Sequence, residues 1–247
     1  MPLPGRAVIE AATLPAWFGK LPALGDFASR RMDSALLTWW DAWLAQGLID
    51  LQEQHRLRGS AWLDAYLVSP SWQFLLSPGC LPGALGRLPW LGSLMPSVDR
   101  VGRYFPFLIV QPLSALPQTG HAWRAVLARM QQLDACAADA LDHDWGVEQL
   151  EAELAEALRR SPLLPPSRAT ESSAAVPGQW VDAGPQPVHS HADPVLDEAL
   201  LLWAQRAAGA PDTARSYWRS QAVGQDAIWR VGAGMPTRAA DLLGGSD

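Results

Sequence analysis

Lysine is almost missing from this sequence: Lys20 is the only one, and every other cation is an arginine. Charge of either sign is sparse at 18% of residues, against about 25% in an average globular chain. What charge there is sums to −6, from 19 Lys+Arg against 25 Asp+Glu. A surface built for duplex nucleic acid leaves a basic footprint, so nucleic acid is not expected as a main partner. Cysteine is equally scarce. Cys80 and Cys136 stand far apart, with neither a CxxC pair nor metal-ligand spacing, so reduced thiols are expected rather than a disulfide framework. Long apolar runs are also lacking: the stretches Tyr104–Val110 and Ala199–Ala204 fall well short of the ~20 residues that span a bilayer. The first residues carry Pro2, Pro4, Glu10 and Pro15 and no unbroken apolar segment, which argues against a secretory signal. A cytoplasmic protein is expected.

Apolar residues, at 49% of 247, are ample for a sizeable core, and 13 tryptophans stand out. Ala16–Lys20 and Asp26–Arg30 read as short strands joined by a turn holding Pro22 and Gly25. Asp33 or Ser34 can cap a helix running to about Gln52, because Leu36, Trp40, Trp43, Leu44, Leu48 and Leu51 recur at helical spacing. Trp62–Val68 suits a short helix or a strand. Trp72–Leu76, Trp90–Met95 and Tyr104–Leu113 read as strands, and Gly120–Leu141 and Val147–Arg160 as helices. The acidic start and the Arg159-Arg160 end of the last of these match a helix dipole.

Ser161–Gln179 differs in kind, with Pro162, Pro165, Pro166 and Pro177 in a Ser/Ala mixture, and reads as a linker or long loop. It divides a core domain, 1–160, from a C-terminal extension, 180–247, expected to pack on that core. In the extension, Asp193-Pro194 suits a helix start with the helix running to about Ala208. Arg215–Ser220 with Ala227–Val231 suits a hairpin, and Thr237–Leu243 a terminal helix. The order of elements, with short links between strands, predicts an α/β chain of the α+β type. Its sheet should be mixed but largely antiparallel, flanked by helices on a longin/profilin-like plan, with the first long helix as crossover.

Catalytic signatures are hard to find. Gly19-Lys20 is followed by Leu21-Pro22, and a proline has no N–H for a phosphate, so this is no phosphate loop. Leu91–Met95 around Ser93 lacks the glycines of a nucleophile elbow. His189, His191 and Asp193 could supply metal ligands, but they follow the proline-rich stretch, where such residues are usually solvated. Asp142-His143-Asp144 resembles part of a metal-phosphohydrolase dipeptide and reads more simply as a polar helix end. No catalytic residue, cofactor or metal is therefore expected. Trp40, Trp43, Trp123 and Trp203 lie on apolar stripes and should fill the core, while Trp90 and Trp145, beside glycine or proline, are candidates for exposure.

One constellation stands apart. Met95–Pro106 places Asp99, Arg100 and Arg103 in a segment otherwise as apolar as a core, and Gly19–Arg30 does the same with Lys20, Asp26 and Arg30. Buried charges must be paired, so Asp26 and Asp99 should meet Lys20, Arg30, Arg100 or Arg103. Such a convergence of two loops is either an ion-pair network that fixes their geometry or a polar docking site.

These same segments carry a family resemblance. Phe18-Gly19-Lys20-Leu21-Pro22, Gly25-Asp26-Phe27, Arg30, Trp40-Asp41-x-Trp43-Leu44, Tyr66-Leu67-x-Ser69-Pro70-x-Trp72-x-Phe74 and the unbroken run Pro96–Pro106 follow the pattern of the TagF (ImpM) family. That family comprises accessory proteins of the bacterial type VI secretion system. The match is best over about Trp17–Leu141. Further on, Ser216-Tyr217-Trp218-Arg219 resembles the family's Ser-x-Trp-Trp with its last tryptophan replaced, and Gly234-Met235-Pro236 resembles its Gly-Leu-Pro.

The resemblance implies a non-catalytic, post-translational repressor. It would act by protein–protein binding alongside a kinase, a phosphatase and a forkhead-associated scaffold protein. The scaffold, or a membrane-complex subunit, is then the expected partner, and the chain could be recruited through it to the inner-membrane complex. The motif positions carried over are Gly19, Lys20, Gly25, Asp26, Asp99, Arg100, Arg103 and Tyr104. The competing expectations are a small metal-dependent phosphohydrolase and a structural subunit of the apparatus.

Overall fold

Strand alternation sorts the apolar side chains of one sheet onto two faces, each covered by helices. In the computed structural model the described residues are 14–59, 61–117, 120–160, 188–190, 214–220 and 227–244. The strands are β1 (Ala16–Lys20), β2 (Phe27–Arg30), β3 (Trp72–Leu76), β4 (Trp90–Met95), β5 (Phe107–Pro112), β6 (Val188–Ser190), β7 (Arg215–Ser220) and β8 (Ala227–Ala233). The helices are α1 (Ser34–Gln54), α2 (Ala61–Leu67), α3 (Gly120–Asp142), α4 (Val147–Arg160) and the short α5 (Ala240–Leu243). The strands form one sheet in the order β2-β1-β5-β4-β3-β7-β8-β6, and every pairing in it is antiparallel.

The elements follow the sequence closely, and the departures have local causes. Asp33 caps α1, accepting from the Leu36 N–H at 2.8 Å. Trp62–Val68 resolves to the helix α2, because the tyrosine of its last turn, Tyr66, faces the core. The strand expected from Tyr104 begins only at Phe107: Val98 bridges Tyr104 across a separate small hairpin, and Pro106 lies between the two. Trp90 is buried rather than exposed. It opens β4, and its indole N–H donates to Leu85 O at 2.8 Å in a 3-10 turn that covers it. The proline-rich stretch 161–179, the helix expected from Asp193 and Trp203 lie outside the described residues.

One face of the sheet carries Phe18, Trp72, Phe74, Leu76, Leu108, Val110 and Trp218 and meets α1, α2 and α5. Aromatic rings join these layers: Trp40 lies 5.5 Å from Phe74, and Trp218 lies 4.9 Å from Phe74 and 6.1 Å from Trp43. The opposite face carries Trp17, Leu75, Leu91, Phe107, Ile109 and Tyr217 and meets α3 and α4. On that side α4 is tied to the sheet edge by a charged clamp. Glu151 accepts from both Arg31 terminal nitrogens, at 2.6 and 2.8 Å, and from the Trp17 indole at 2.5 Å.

Burial alone would raise the Glu151 pKa, but the bonds from Arg31 and Trp17 outweigh it and hold the carboxyl below the ordinary glutamate value. A depressed folded-state pKa gives stability that is complete above the unfolded value and is lost as pH falls through the folded one. Glu151→Gln should therefore lower the melting temperature at neutral pH. Its deficit against wild type should shrink on titrating from about pH 7 to about pH 3. A deficit that stays constant over that range would show that the clamp does not titrate with folding.

Candidate functional site

Two chain segments meet at the end of β1. The 98–104 segment is a tight hairpin. Asp99 N–H donates to Arg103 O at 3.0 Å, Gly102 N–H donates to Asp99 O at 3.0 Å, and Gly102 has a φ of 81°. This is a three-residue hairpin loop closed by a left-handed glycine. The Asp99 side chain completes it from within, its Oδ1 accepting from the N–H groups of Val101 (3.0 Å) and Arg103 (2.9 Å).

The other carboxylate oxygen takes the cations. Lys20 Nζ lies 2.6 Å and Arg103 Nε 2.7 Å from Asp99 Oδ2. The Lys20 and Asp99 side chains are 3% and 0% exposed. Burial alone would raise the Asp99 pKa; the Lys20 ammonium, the Arg103 amide and guanidinium and the Val101 amide reverse that and hold it well below the usual carboxylate range. Lys20 also stands 4.2 Å from the centre of the Phe27 ring, which fixes its ammonium between a carboxylate and an aromatic face.

Backbone contacts zip the hairpin to the β1–β2 turn. Arg100 N–H donates to Leu24 O at 3.0 Å, the Arg103 guanidinium donates to Gly25 O, and Ser97 Oγ donates to Lys20 O at 2.8 Å. From the other side Tyr66 of α2 holds Ser97, its hydroxyl donating to Ser97 O at 2.9 Å and accepting from Ser97 N–H at 2.8 Å. Burial pushes the Tyr66 phenol well above its ordinary pKa, so it stays neutral and can make both bonds. Tyr104 packs edge-on against Tyr66 and Trp62, each 6.1 Å away. Gly19 is required by close approach: its φ is 133°, and a Cβ there would lie 2.1 Å from Pro106 O.

Of the sequence-level site residues, Gly19, Lys20, Gly25, Asp99, Arg103 and Tyr104 meet here. Asp26 sits at the rim, exposed and 3.9 Å from Arg103, a distance and exposure at which an ion pair contributes little. Arg100 contributes its backbone, and its side chain is exposed. Arg30 is elsewhere. Lys20 pairs with Phe27 and Trp17 with Arg30 across the β1–β2 ladder. Arg30 therefore points to the opposite face, 6.0 Å from the Trp17 ring.

Sequence reasoning missed Arg31 and Glu151, which bond across 120 positions of the chain, and Asp134 of α3. Asp134 accepts from Ser93 Oγ (2.6 Å), Ser71 Oγ (3.1 Å) and Gln73 Nε2 (3.3 Å) beneath the sheet. No sequence pattern marks Arg31, and at Glu151 and Asp134 the signal was a single polar residue on an amphipathic helix. Arg219 is buried and donates to Gln73 Oε1 at 3.2 Å.

His143 caps a helix end, its ring nitrogen 3.0 Å from Asp139 O and its ring stacked on Trp145. His191 and Asp193 lie outside the described residues, and among the described residues no cluster of three metal-ligating side chains occurs. Cys80 and Cys136 are free, and burial pushes each thiol up to about 11.

An antiparallel sheet with helices on both faces, tied at one end by a buried Lys–Asp pair that the exposed Arg103 completes, defines the class of protein. The chain belongs to a particular family within it. The family model described as TagF N-terminal domain, Type VI secretion system-associated, matches residues 16–157. The chain is also similar to the crystal structure of PA0076 from Pseudomonas aeruginosa PAO1, at 29% identity and a TM-score of 0.63, over 94% of this chain and 95% of that one. No curated protein matches. The chain is thus a type VI secretion-associated protein. Among the described residues, no helix is long and apolar enough to cross a membrane.

The network predicts its own mutational response. Lys20→Met removes one cation but leaves Asp99 bonded to Arg103 and two amides. The loss should fall toward the lower end of the roughly 3–5 kcal/mol typical of breaking a buried pair. Amide exchange at Val101 and Arg103 should quicken with it. A melting temperature equal to wild type would show that the Lys20–Asp99 contact does not hold the loop.

Proposed function

We propose that this protein acts by binding, not by catalysis, as a post-translational regulator that restrains assembly or firing of the type VI secretion apparatus. Its partner on this reading is the forkhead-associated scaffold protein or a subunit of the membrane complex, and contact with that partner brings it to the inner membrane. The family assignment supports the secretion context.

One observation carries the mode of action. Lys20, Asp99 and Arg103 are engaged with one another and with loop backbone, so that Asp99 is held ionised and Lys20 is held against it. A general base needs a pKa near the working pH and a free lone pair. Asp99 is instead the acceptor around which a surface loop is shaped. That is the construction of a presented surface, which a binding protein uses and a catalyst does not require.

Removing the gene should raise secretion of the apparatus's tube protein, and extra copies should lower it. The purified chain should bind the purified scaffold or membrane-complex subunit in a pull-down with folded protein. Unchanged secretion in the deletion strain, or purified protein with stoichiometric metal that turns over a phosphoester, would overturn this reading.

A further inference from the structure

We propose that the tip of the 98–104 hairpin, Arg100 and Val101, together with Phe27 on the adjoining turn, forms the docking surface for an acidic partner protein. That partner would offer an apolar socket for Val101 and Phe27 and a carboxylate for Arg100. The proposal rests on the binding function above and names the surface and the chemistry of its partner.

Exposure, rigidity and charge each point to this surface. Val101 is 65% and Phe27 46% exposed. A turn tip ordinarily carries Asp, Asn, Gly or Ser, so a valine there leaves apolar area in water that nothing local requires. The loop bearing it is fixed. Asp99 holds the Val101 amide, and the hairpin is bonded to the Phe27 hairpin through Leu24 O and Gly25 O. Phe27 itself is seated on Phe105 and Phe18, with ring centres 4.8 and 5.7 Å away. A surface ordered in advance loses little conformational entropy when a partner binds.

The charge identifies the partner. Lys20 cancels Asp99, which leaves Arg100 and Arg103 against Asp26, a local positive excess on a chain whose total is −6. Several exposed arginines are paired with a carboxylate: Arg56 with Glu53, Arg159 and Arg160 with Glu156, and Arg238 with Asp241. Among the described residues Arg100 has no such pair, nor have the exposed Arg87 and Arg124; what sets Arg100 apart is its place in the hairpin bonded to the turn before Phe27. A phosphate polymer or an anionic bilayer needs several cations side by side to hold it. A protein carboxylate beside an apolar pocket needs only one.

The test is complementation of a deletion strain, read as secretion of the tube protein, with each variant's melting temperature measured on purified protein. Val101→Asp and Arg100→Glu should melt like wild type yet lose repression, while Val101→Ile and Arg100→Lys should retain it. Wild type should not sediment with phosphatidylglycerol vesicles. Full repression by both Val101→Asp and Arg100→Glu overturns the surface and leaves the regulatory function standing. Wild-type sedimentation with those vesicles that Val101→Asp abolishes also overturns it, in favour of a membrane. A deletion strain that wild type itself does not restrain removes the functional reading and the surface together.

Discussion

The contact between the Lys20 ammonium and the Asp99 carboxylate is the constraint to which the rest of this end of the molecule answers. Two charges taken out of water cost more than their attraction returns unless further hydrogen bonds complete them. Here the completion is structural. The second oxygen of Asp99 takes the Val101 and Arg103 amides, the first also takes the Arg103 guanidinium, and Lys20 has the Phe27 ring above it. An apolar plug of the same volume could fill the space but could not accept from two loop amides. The pair therefore specifies geometry: it fixes where β1 ends, how the β1–β2 turn lies and which way the 98–104 hairpin points.

The sheet carries this local order to the rest of the chain. Gly19, one residue before the lysine, lets β1 close on the Pro106 carbonyl and so sets the register with β5. From there the ladder runs through β4 to β3, which has β7 of the C-terminal part on its other side. That part also returns to the first helix. α5 packs against α1 where Gly47 leaves room, since a Cβ there would meet the Ala239 methyl at 2.3 Å. Trp72 Nε1 then donates to Leu242 O at 2.8 Å. Sequence-distant segments thus share one core on the face that also holds Phe18 and Phe105.

Much of this could be read from the sequence, for reasons specific to each element. Strands and helices with a clean period were readable because a buried face forces the period. The convergence of Lys20 and Asp99 was readable because charges inside apolar segments have to find each other. Which arginine would join them was not. Arg30 and Arg103 are the same residue type at similar places in the two segments, and only the β1–β2 register, with Phe27 opposite Lys20, turns Arg30 to the far face. Trp90, at the head of its strand beside a proline, looked exposed because its cover, the turn at Leu85–Arg87, has no periodic signature of its own. Glu151 and Asp134 were invisible because one polar residue on an amphipathic helix has no distinctive pattern. Their partners, Arg31 with Trp17 and Ser71 with Ser93, are set by tertiary packing.

Inside the site, the residues that shape the loop and those that face solvent are interleaved along the chain. Gly19, Lys20, Asp99 and Gly102 serve close approach, charge pairing and a left-handed turn; replacing any of them disturbs the shape of the loop. Phe27, Arg100 and Val101 project from that shape, and nothing in the loop's bonding depends on the Arg100 or Val101 side chain. The family resemblance runs through both sets, because its pattern holds Phe27 and the whole of Pro96–Pro106. The outward side chains can change without changing the fold, because the amides that hold the tip belong to the backbone and remain with any residue but proline at positions 100 and 101.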